Sequence, residues 1–555
     1  MRAVGGITGL ILWLGGTAVL IATTAWAVQS EAVELRLADG TPIHGTLYRP
    51  RAAEADRLPV AVVVHGTAAS GRSCAPGIAV PLAVHGYLAL TLDLRGHGRS
   101  GGSVPRSQLA DPLTMLDDPG EYPEIHLALD HLKQHPLYVR QHTILLTRMS
   151  PEFNRKHGIT AETSTIGRVA LVGHSRGGLA AASVAYRRDD VDCVVSIGAP
   201  PGTCDRDRPR NLMVLTGSHD ELFPTSRCAA PFARAIEQAA ASGDAFLGWY
   251  WVGTARQLKK VNNVNHFTEL ANPSVTRQVL QWVGSCMDLD HGLVPPGWFT
   301  ILATALAAAM VGGLLACGWL LGLLARRLGA EVEPSAGPTR WVRLGGLFGL
   351  AAVAVVAVGA AGGRLETGGV FFAGPSIALF LGLGAAAAVA AIRRSTEGEP
   401  RLRTPCFPHL LRGAVLGVMA LLLVVIWVAV PWGQTWLDPW PVGRRLGLAV
   451  VLFAGLLPGA ALLATGFARV TGGTGVRVTA WLLIPVVSWF ACRYLAVPAN
   501  PLFLVPVAMV AASFVVSLPL WLLPDRPGMA ISRAICHAGA AAWLMACHLP
   551  FVHAG

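Results

Sequence analysis

Apolar residues are distributed unevenly along the chain: one long run at the start, short runs up to about residue 290, and long runs thereafter. Residues 5–27 contain no charged residue and are long enough to cross a hydrocarbon core of about 30 Å. Eight later stretches have the same character, near 298–325, 343–363, 369–392, 411–432, 446–468, 477–497, 501–523 and 530–552. The pattern predicts a membrane-spanning helix at the start and an all-α transmembrane bundle in the second half.

The first apolar run ends in Ala-Trp-Ala at residues 25–27, which resembles a signal-peptidase site. We interpret residues 1–28 as an N-terminal transmembrane anchor, with a cleaved signal peptide as the alternative. Either role carries the segment that follows out of the cytoplasm.

Between these regions, short strand-like runs alternate with longer helix-like stretches. The strand candidates are 32–38, 42–49, 58–66, 87–96, 168–174, 191–199, 211–219 and 246–253. Several are continuous runs of Val and Leu, which is typical of strands buried on both faces. The helix candidates that separate the later strands are 124–135, 176–187 and 228–240. The alternation predicts an α/β domain over 29–290, with a mainly parallel sheet and helices on both faces, before a polytopic membrane domain of about eight helices over 291–555.

The formal net charge of the 555-residue chain is +11, and many of its arginines lie at the ends of the apolar stretches. The cytoplasmic loops of one orientation carry Arg326, Arg327, Arg340, Arg343, Arg393, Arg394, Arg401, Arg403, Arg412, Arg469, Arg477, Arg526 and Arg533. The opposite loops carry only Arg364, Arg444, Arg445 and Arg493. By the positive-inside rule, the α/β domain and the C-terminus are extracytoplasmic or periplasmic. No nucleic-acid-binding motif accompanies the charge, so no nucleic-acid partner is expected.

The predicted spans lack the acidic residues that ion-coupled carriers use at membrane depth. Glu366, Asp438 and Asp525 all fall in loops, while His537 and His548 lie in the last span. An anchoring or substrate-presenting membrane domain is therefore favoured over an ion-coupled carrier.

The ten cysteines include no CxxC pair and no metal-like Cys/His spacing. Cys204 and Cys228 flank one predicted strand and could form a disulfide in an oxidising compartment. Burial as small apolar residues is the favoured interpretation. Motifs for a metal, a nucleotide or a flavin are also lacking, so no cofactor is expected.

Residues 169–180, VALVGHSRGGLA, end a predicted strand on a serine between small residues. A nucleophilic serine must protrude from the sheet, and the tight strand-to-helix turn that exposes it crowds the positions two before and two after it. This crowding explains Gly173 and Gly177 around Ser175. The helix that follows directs its positive end toward charge developing at the serine.

Two further side chains follow strand ends later in the chain. Asp220 lies in SHDELFP, just past one strand, and His266 lies in VNNVNHFTEL, a loop before a terminal helix. Earlier, VAVVVHGTAAS supplies a His-Gly turn after a strand, where a backbone N–H can help to bind an oxyanion.

Residues 31–284, about half of the chain, resemble the α/β-hydrolase superfamily of serine esterase and lipase type. The motifs that carry the resemblance are VVVHGT, LDLRGHGRSGG, VGHSRGG, GSHDELFP and NHF. The chain order of serine, aspartate and histidine is also that of the family.

The resemblance implies roles for five residues. Ser175 is the nucleophile, His266 is the general base, and Asp220 holds the imidazole in its productive tautomer. The backbone N–H groups of Thr67 and Arg176 form the oxyanion hole.

Other polar residues near these motifs have competing interpretations. His65 is expected to support the oxyanion turn, His97 to lie in a turn, and His174 to be structural. The rival acids and base are Glu221, Asp205 and His291.

Two departures from the family pattern concern access to the serine. Many relatives insert a cap where this chain has only PPGTCDRDRPR, at 200–210, which favours an open site. The segment at 137–167 is longer than expected, and we interpret it as a surface excursion, with a cover over the site or a membrane contact as alternatives.

The resemblance therefore implies a membrane-embedded serine hydrolase that cleaves carboxylic esters, with lipid or amphiphilic esters favoured by the neighbouring bilayer. The same residues serve acyltransferases, in which a membrane-borne acceptor replaces water. A non-catalytic membrane sensor or transport component is the third hypothesis. The expected partners are an ester or lipid-like small molecule and membrane lipids.

Overall fold

The structure is a computed structural model of the chain. It describes residues 2–51, 58–105, 121–138, 141–145, 163–236, 245–287, 297–328, 341–361, 373–395, 407–433, 440–441, 443–471, 474–492, 504–523 and 528–553. The chain forms two compact units. The helical unit comprises Met1–Leu20, Ala303–Gln434 and Asp438–Leu549, and the sheet unit contains Ile21–Leu302 together with Pro550–Gly555.

The sheet unit is built on a nine-stranded sheet in the order β1-β2-β4-β3-β8-β9-β10-β12-β11. These strands are β1 (Val28–Arg36), β2 (Pro42–Pro50), β3 (Val60–Val64), β4 (Leu88–Leu92), β8 (Val169–His174), β9 (Cys193–Ile197), β10 (Leu212–Gly217), β11 (Ala245–Leu247) and β12 (Arg256–Val261). The neighbours from β4 to β12 pair in parallel, and β1, β2 and β11 add antiparallel pairs at the two edges. The predicted mainly parallel sheet is confirmed.

The central strands are buried along their whole length, as their unbroken apolar runs predict. Every residue of β3, β4, β8, β9 and β10 is buried. A strand buried on both faces has no face toward solvent, so these strands do not alternate apolar and polar residues as strands with one exposed face do. The core of the unit therefore lies along these five strands.

One strand differs from the prediction. The aromatic run 246–253 is not a single strand, because β11 ends at Leu247 and Tyr250–Val252 form a short 3-10 turn between the positive-φ residues Gly248 and Gly253. The strand that precedes the His266 loop is instead β12, Arg256–Val261, whose residues alternate between buried and more exposed positions.

Helices pack against this sheet. They are α2 (Val80–Val84), α3 (Pro123–Lys133), α4 (Arg176–Arg187), α5 (Thr225–Ile236) and α6 (Pro273–Met287), and they follow α1 (Arg2–Ala27). Helix α3 contacts β3 and β4, α4 contacts β8 and β9, α5 contacts β10 and β12, and α6 contacts β9. The predicted strand–helix layering is thus present around the strands that carry the serine and its neighbours.

Two short pairings lie outside the main sheet. Strands β6 (Gln141–Leu145) and β7 (Thr163–Gly167) form an antiparallel pair within the 137–167 segment. Strand β13 (Val552–His553), near the end of the chain, pairs in parallel with β5 (Val104–Pro105). The last described residues therefore complete part of the sheet unit.

In the residues that the structure describes, the helical unit contains a bundle of apolar helices. They are α7 (Trp298–Arg327), α8 (Trp341–Ala361), α9 (Ala373–Ser395), α10 (Phe407–Trp432), α11 (Arg444–Val470), α12 (Thr474–Ala491), α13 (Leu504–Val516), α14 (Leu518–Trp521) and α15 (Met529–His548). Small residues allow close helix contacts, since a Cβ added at Gly384 would meet the backbone of Gly459 on a neighbouring helix.

Five described segments are long and apolar enough to cross a membrane: Ala3–Ala27, Trp298–Arg327, Phe407–Trp432, Arg444–Phe467 and Met529–His548. Shorter apolar helices at Gly346–Val358, Ala373–Val389, Val476–Ala491 and Val507–Val516 coincide with other predicted spans. These helices are compatible with a membrane protein.

Candidate active site

Ser175 stands at a sharp turn between β8 and α4. Its backbone has φ 56° and ψ −128°, a conformation that a residue with a side chain rarely adopts. The strain is balanced locally by a backbone hydrogen bond in which the Ser175 N–H donates to the Ile197 carbonyl at 2.7 Å. The turn places the serine at the carboxyl ends of the parallel strands, where α/β sheets bind their ligands.

The glycines around Ser175 are required by close backbone approach. A Cβ added at Gly173 would overlap the Gly177 carbonyl, and one added at Gly177 would overlap the carbonyls of Val64 and His65. The spacing of small residues in the sequence therefore reflects a steric limit of this turn.

The structure brings Ser175, His266 and Asp220 together. The Ser175 Oγ lies 3.0 Å from His266 Nε2, and His266 Nδ1 lies 2.9 Å from Asp220 Oδ2. Because a carboxylate accepts hydrogen bonds, Nδ1 carries the proton and Nε2 is free to accept from the serine hydroxyl. All three side chains are buried.

Asp220 is held as a carboxylate by its surroundings. Burial raises its pKa, but His266 and the backbone donors oppose that effect, so the pKa lies below its usual value. Its Oδ1 accepts hydrogen bonds from the N–H groups of Leu222 and Phe223 at 2.8 and 2.7 Å. These bonds leave Oδ2 directed at the imidazole.

The turn predicted to bind an oxyanion lies against the serine. A Cβ added at Gly66 would come 2.7 Å from Ser175 Cβ, so Thr67 follows a point of direct contact. Arg176, the second predicted donor, is the first residue of α4. The buried His65 supports the turn, because its Nε2 accepts from the Leu94 N–H at 3.0 Å and its Nδ1 lies 2.7 Å from the Gly66 carbonyl.

The rival acids Glu221 and Asp205 accept hydrogen bonds from backbone N–H groups and not from the imidazole of His266. Glu221 Oε2 instead accepts from the His266 backbone N–H at 3.3 Å. Asp205 Oδ1 accepts from the N–H groups of Asp207 and Arg208. The rival base His291 lies outside the described residues.

His174 and Glu269 form a second buried pair beside these residues. His174 Nε2 lies 3.1 Å from the His266 carbonyl and 3.1 Å from Glu269 Oε2. Burial and the neighbouring His266 lower the pKa of His174 to about 3, so this histidine is neutral. Glu269 is not among the predicted site residues, although its acidic side chain three positions after His266, in FTEL, is a usable signal.

His174, His266 and Glu269 are also the one group of described residues whose ligand atoms are close enough to hold a metal ion, all lying within 4.8 Å of one another. The same atoms engage protein partners, namely Ser175, Asp220, the His266 carbonyl and the Gly217 N–H. The donor set therefore fits a hydrogen-bonded network better than an ion site.

Cys204 and Cys228, considered as a disulfide, are not joined by one. The Cys204 Sγ lies 3.9 Å from the Pro231 carbonyl, and the Cys228 Sγ lies 3.8 Å from the Phe223 carbonyl. Burial raises the pKa of the Cys228 thiol, which favours its neutral form.

The strand order, the strand-to-helix turn at Ser175 and the hydrogen-bonded side chains beyond it define the sheet unit as an α/β hydrolase in its fold. Residues 59–223 match the family model described as the alpha/beta hydrolase fold. The match contains Ser175 and Asp220 and ends before His266. The predicted fold class is confirmed, and the sheet unit is called the hydrolase unit below.

Several solved structures are similar to this unit. GrgF, an alpha/beta hydrolase from Penicillium sp. sh18, is 14% identical with a TM-score of 0.32, and the match covers 47% of this chain and 100% of that chain. Est1E from Butyrivibrio proteoclasticus, with ferulic acid bound, is 14% identical with a TM-score of 0.30, covering 45% and 99%. DcsB, in complex with its substrate analogue, is 13% identical with a TM-score of 0.31, covering 47% and 100%. No curated protein matches the chain.

Proposed function

We propose that the protein is a membrane-embedded serine hydrolase that cleaves carboxylic esters through an acyl-enzyme on Ser175. The observation that carries the proposal is the hydrogen-bonded series from Ser175 Oγ to His266 Nε2, and from His266 Nδ1 to Asp220 Oδ2. The series stands at the strand-to-helix turn that holds Ser175 at the carboxyl ends of the parallel strands. Nucleophile, base and orienting acid are thereby in reach of one another.

In the first half of the reaction, the Ser175 oxygen attacks the carbonyl carbon of the ester while its proton passes to His266 Nε2. The imidazolium that forms is stabilised by Asp220, which stays ionised. The tetrahedral intermediate then collapses, and His266 returns the proton to the departing alcohol.

In the second half, water takes the place of the alcohol. His266 Nε2 accepts a proton from the water as its oxygen attacks the acyl carbon, and the serine oxygen leaves with that proton. The free acid is released and the starting arrangement is restored.

The negative charge of both tetrahedral intermediates requires donors beside the serine. The N–H groups of Thr67 and Arg176 supply them, and the positive end of the 12-residue helix α4 faces the same point. Loss of one such donor typically lowers kcat by about 10²–10³.

The location proposed for this chemistry is extracytoplasmic, with residues 1–28 as anchor, 29–290 as hydrolase domain and 291–555 as membrane domain. The arginine distribution supports the orientation. Pairing of β13 with β5 supports a shared side for the hydrolase domain and the C-terminus, as the even number of eight predicted crossings requires. Lipid or amphiphilic esters are the proposed substrates, since the hydrolase domain is tethered to a bilayer.

The experiment that tests the proposal is fluorophosphonate labelling of the full chain in membranes. We expect wild type to be labelled and Ser175→Ala and His266→Ala to lose labelling. Ser183→Ala is the matched control, because this serine is buried in α4 and bonded to the Leu179 carbonyl. Equal labelling of wild type and Ser175→Ala would reject Ser175 as the nucleophile.

The alternative activities give different results in the same system. Faster transfer of the acyl group to an added alcohol than to water would assign an acyltransferase. A folded wild-type protein that takes no label would favour a sensor or transport component that only binds ligand.

A further inference from the structure

Glu269 is a fully buried acid that the steps above do not use. It follows His266 by three residues and begins the short 3-10 turn Glu269–Ala271. Its exposed fraction is 0%. A buried carboxyl group is costly unless it is well hydrogen-bonded, so its contacts identify what it does.

The Glu269 carboxyl group contacts the ends of three adjacent parallel strands. At the end of β10, the Gly217 N–H donates to Oε1 at 2.8 Å. At the end of β8, His174 Nε2 lies 3.1 Å from Oε2. Just after β9, Gly198 has φ +58°, and a Cβ there would overlap Oε2. One side chain from the His266 loop is therefore hydrogen-bonded to the ends of β8 and β10 and packed against the residue after β9.

The same carboxyl group also borders the proposed orienting acid and base. Its Oε2 lies 3.9 Å from His266 Nδ1, the atom that bonds Asp220. Burial, followed by the negative charge of Asp220, raises the pKa of Glu269 well above its usual range. Two adjacent buried carboxyl groups do not both ionise readily, so Glu269 is the neutral partner and can donate its proton to Asp220.

His174 connects this acid to the backbone of the histidine. The His266 carbonyl can only accept, so His174 Nε2 carries the proton that lies between the His266 carbonyl and Glu269 Oε2. The neutral state of His174 keeps a buried positive charge away from His266.

We propose that Glu269 is a positioning residue that fixes the His266 loop and the Asp220 carboxylate relative to Ser175. This inference rests on the serine hydrolase function proposed above. It assigns a role to a residue outside the serine, histidine and aspartate series, acting through them rather than on the substrate.

The test compares Glu269→Ala, Glu269→Gln and Glu269→Asp in the detergent-solubilised full chain, with p-nitrophenyl butyrate as substrate. Glutamine keeps an oxygen for the Gly217 N–H and a donor for Asp220, and it loses only the acceptor for His174 Nε2, which still has the His266 carbonyl, so we expect its kcat within about threefold of wild type. Alanine removes both, and aspartate is one methylene too short. Because misplacement of reacting groups by about 1 Å can cost 10²-fold, we expect kcat to fall about 10- to 100-fold in both, with KM within about threefold.

The matched controls are Glu124→Gln and Glu124→Ala, since Glu124 is another buried glutamate that accepts from a backbone N–H, that of Arg95. We expect kcat of folded control protein to change by less than about threefold. The rescue by glutamine and the split between kcat and KM distinguish positioning from a purely structural role, which would lower only the folded fraction.

Wild-type kcat in folded Glu269→Ala would overturn the inference, as would a Glu269→Gln kcat as low as that of alanine. If the alanine variant does not fold, wild-type kcat in Glu269→Asp overturns it instead. A wild-type chain that takes no fluorophosphonate label is a failure of the proposed function. A labelled wild type with an equally fast Glu269→Ala is a failure of this inference alone.

Discussion

The two units bury ionisable side chains in different ways. In the hydrolase unit, four buried acids and histidines share one site at the carboxyl ends of the strands, while other ionisable side chains, such as Asp192 and Arg256, are buried elsewhere: the four are His174, Asp220, His266 and Glu269. In the helical unit, the buried ionisable side chains among the described residues are arginines and histidines: Arg445, Arg477, Arg533, His537 and His548.

Two of the buried arginines of the helical unit, Arg445 and Arg533, are paired with backbone carbonyls. Arg445 donates to the carbonyls of Ala546 and Leu549 at 2.8 and 2.9 Å. Arg533 donates to the Leu523 carbonyl at 3.1 Å, and its guanidinium lies 4.5 Å from the centre of the Trp521 ring. Carbonyls at the end of a helix carry partial negative charge, which a cation stabilises.

The difference separates groups that can exchange protons from groups that join helices. An imidazole between a carboxylate and a hydroxyl changes protonation state in a reaction, whereas a guanidinium on carbonyls stays charged and holds its partners in place. We therefore place the chemistry in the hydrolase unit and a structural role in the buried arginines. The predictions that follow test this division.

The largest effect is expected for Asp220→Asn. The amide still fills the space but no longer selects the imidazole tautomer with Nε2 unprotonated, so kcat is expected to fall by about 10⁴. Steady-state hydrolysis of p-nitrophenyl butyrate measures it. The control is Asp192→Asn, a buried aspartate that accepts from the Val169 N–H. A loss below about tenfold in Asp220→Asn would contradict its role.

The next effect concerns acid stability. The folded state keeps His174 neutral with a pKa of about 3, whereas the unfolded chain protonates it near 6.5. The unfolded state therefore binds more protons as the pH falls below 6.5, and stability is lost. Between pH 6.5 and 5 the loss from this group is about 2 kcal/mol. Thermal unfolding of the hydrolase unit at several pH values between 6.5 and 5 measures this change in the free energy of unfolding.

The variant for this prediction is His174→Gln, which we expect to flatten the pH dependence in that range while lowering stability at neutral pH. His219→Gln, at an exposed position, is the control. An unchanged slope in His174→Gln would show that another group titrates.

A smaller effect is expected for Arg445→Met in the helical unit. The change removes two hydrogen bonds to carbonyls near the end of α15, and local stability is expected to fall by about 1–3 kcal/mol. Hydrogen exchange in the last turn of α15 measures the loss, with exposed Arg444→Met as control. A lower kcat in folded Arg445→Met would contradict the assignment of a purely structural role to this arginine.

The smallest effect is expected from deletion of residues 550–555. The deletion removes the hydrogen bonds from the Val104 N–H to the Phe551 carbonyl and from the Phe551 N–H to the Gly96 carbonyl, 2.9 and 3.0 Å long. Each contributes about 1 kcal/mol. Exchange is expected to rise at 96–104, and kcat to fall by less than about tenfold. A Val552→Ala/His553→Ala double variant keeps these backbone hydrogen bonds, so we expect residues 96–104 to stay protected from hydrogen exchange. Equally fast exchange in the deletion and the double variant would contradict the role given to the backbone bonds of Phe551.

The sequence predicts the parts of the site that depend on local patterns. The turn at Ser175 leaves a signature because steric crowding restricts Gly173 and Gly177, and Asp220 follows the end of a strand that a hydrophobic run locates. Parallel strands then bring these ends to one edge of the sheet, so order along the chain becomes proximity.

Other features depend on contacts between distant residues and leave no such pattern. β12 contains Arg256 and two lysines, so it does not resemble a buried strand, and only its pairing with β10 reveals it. The contacts of Glu269 form only when β8, β9 and β10 meet around its carboxyl group. The strand β13 has only two residues, so its sequence gives almost no signal for a β-strand. Its conformation depends on pairing with β5.

The pairing of β13 with β5 also has a consequence for the timing of biosynthesis. A ribosome that has finished β12 at Val261 must translate all of the apolar helices before it reaches Val552. At about 5–20 residues per second, this takes roughly 15–60 s. The hydrolase unit therefore exists first as a nascent intermediate with an unpaired β5, and its maturation finishes only after the last helix has been synthesised.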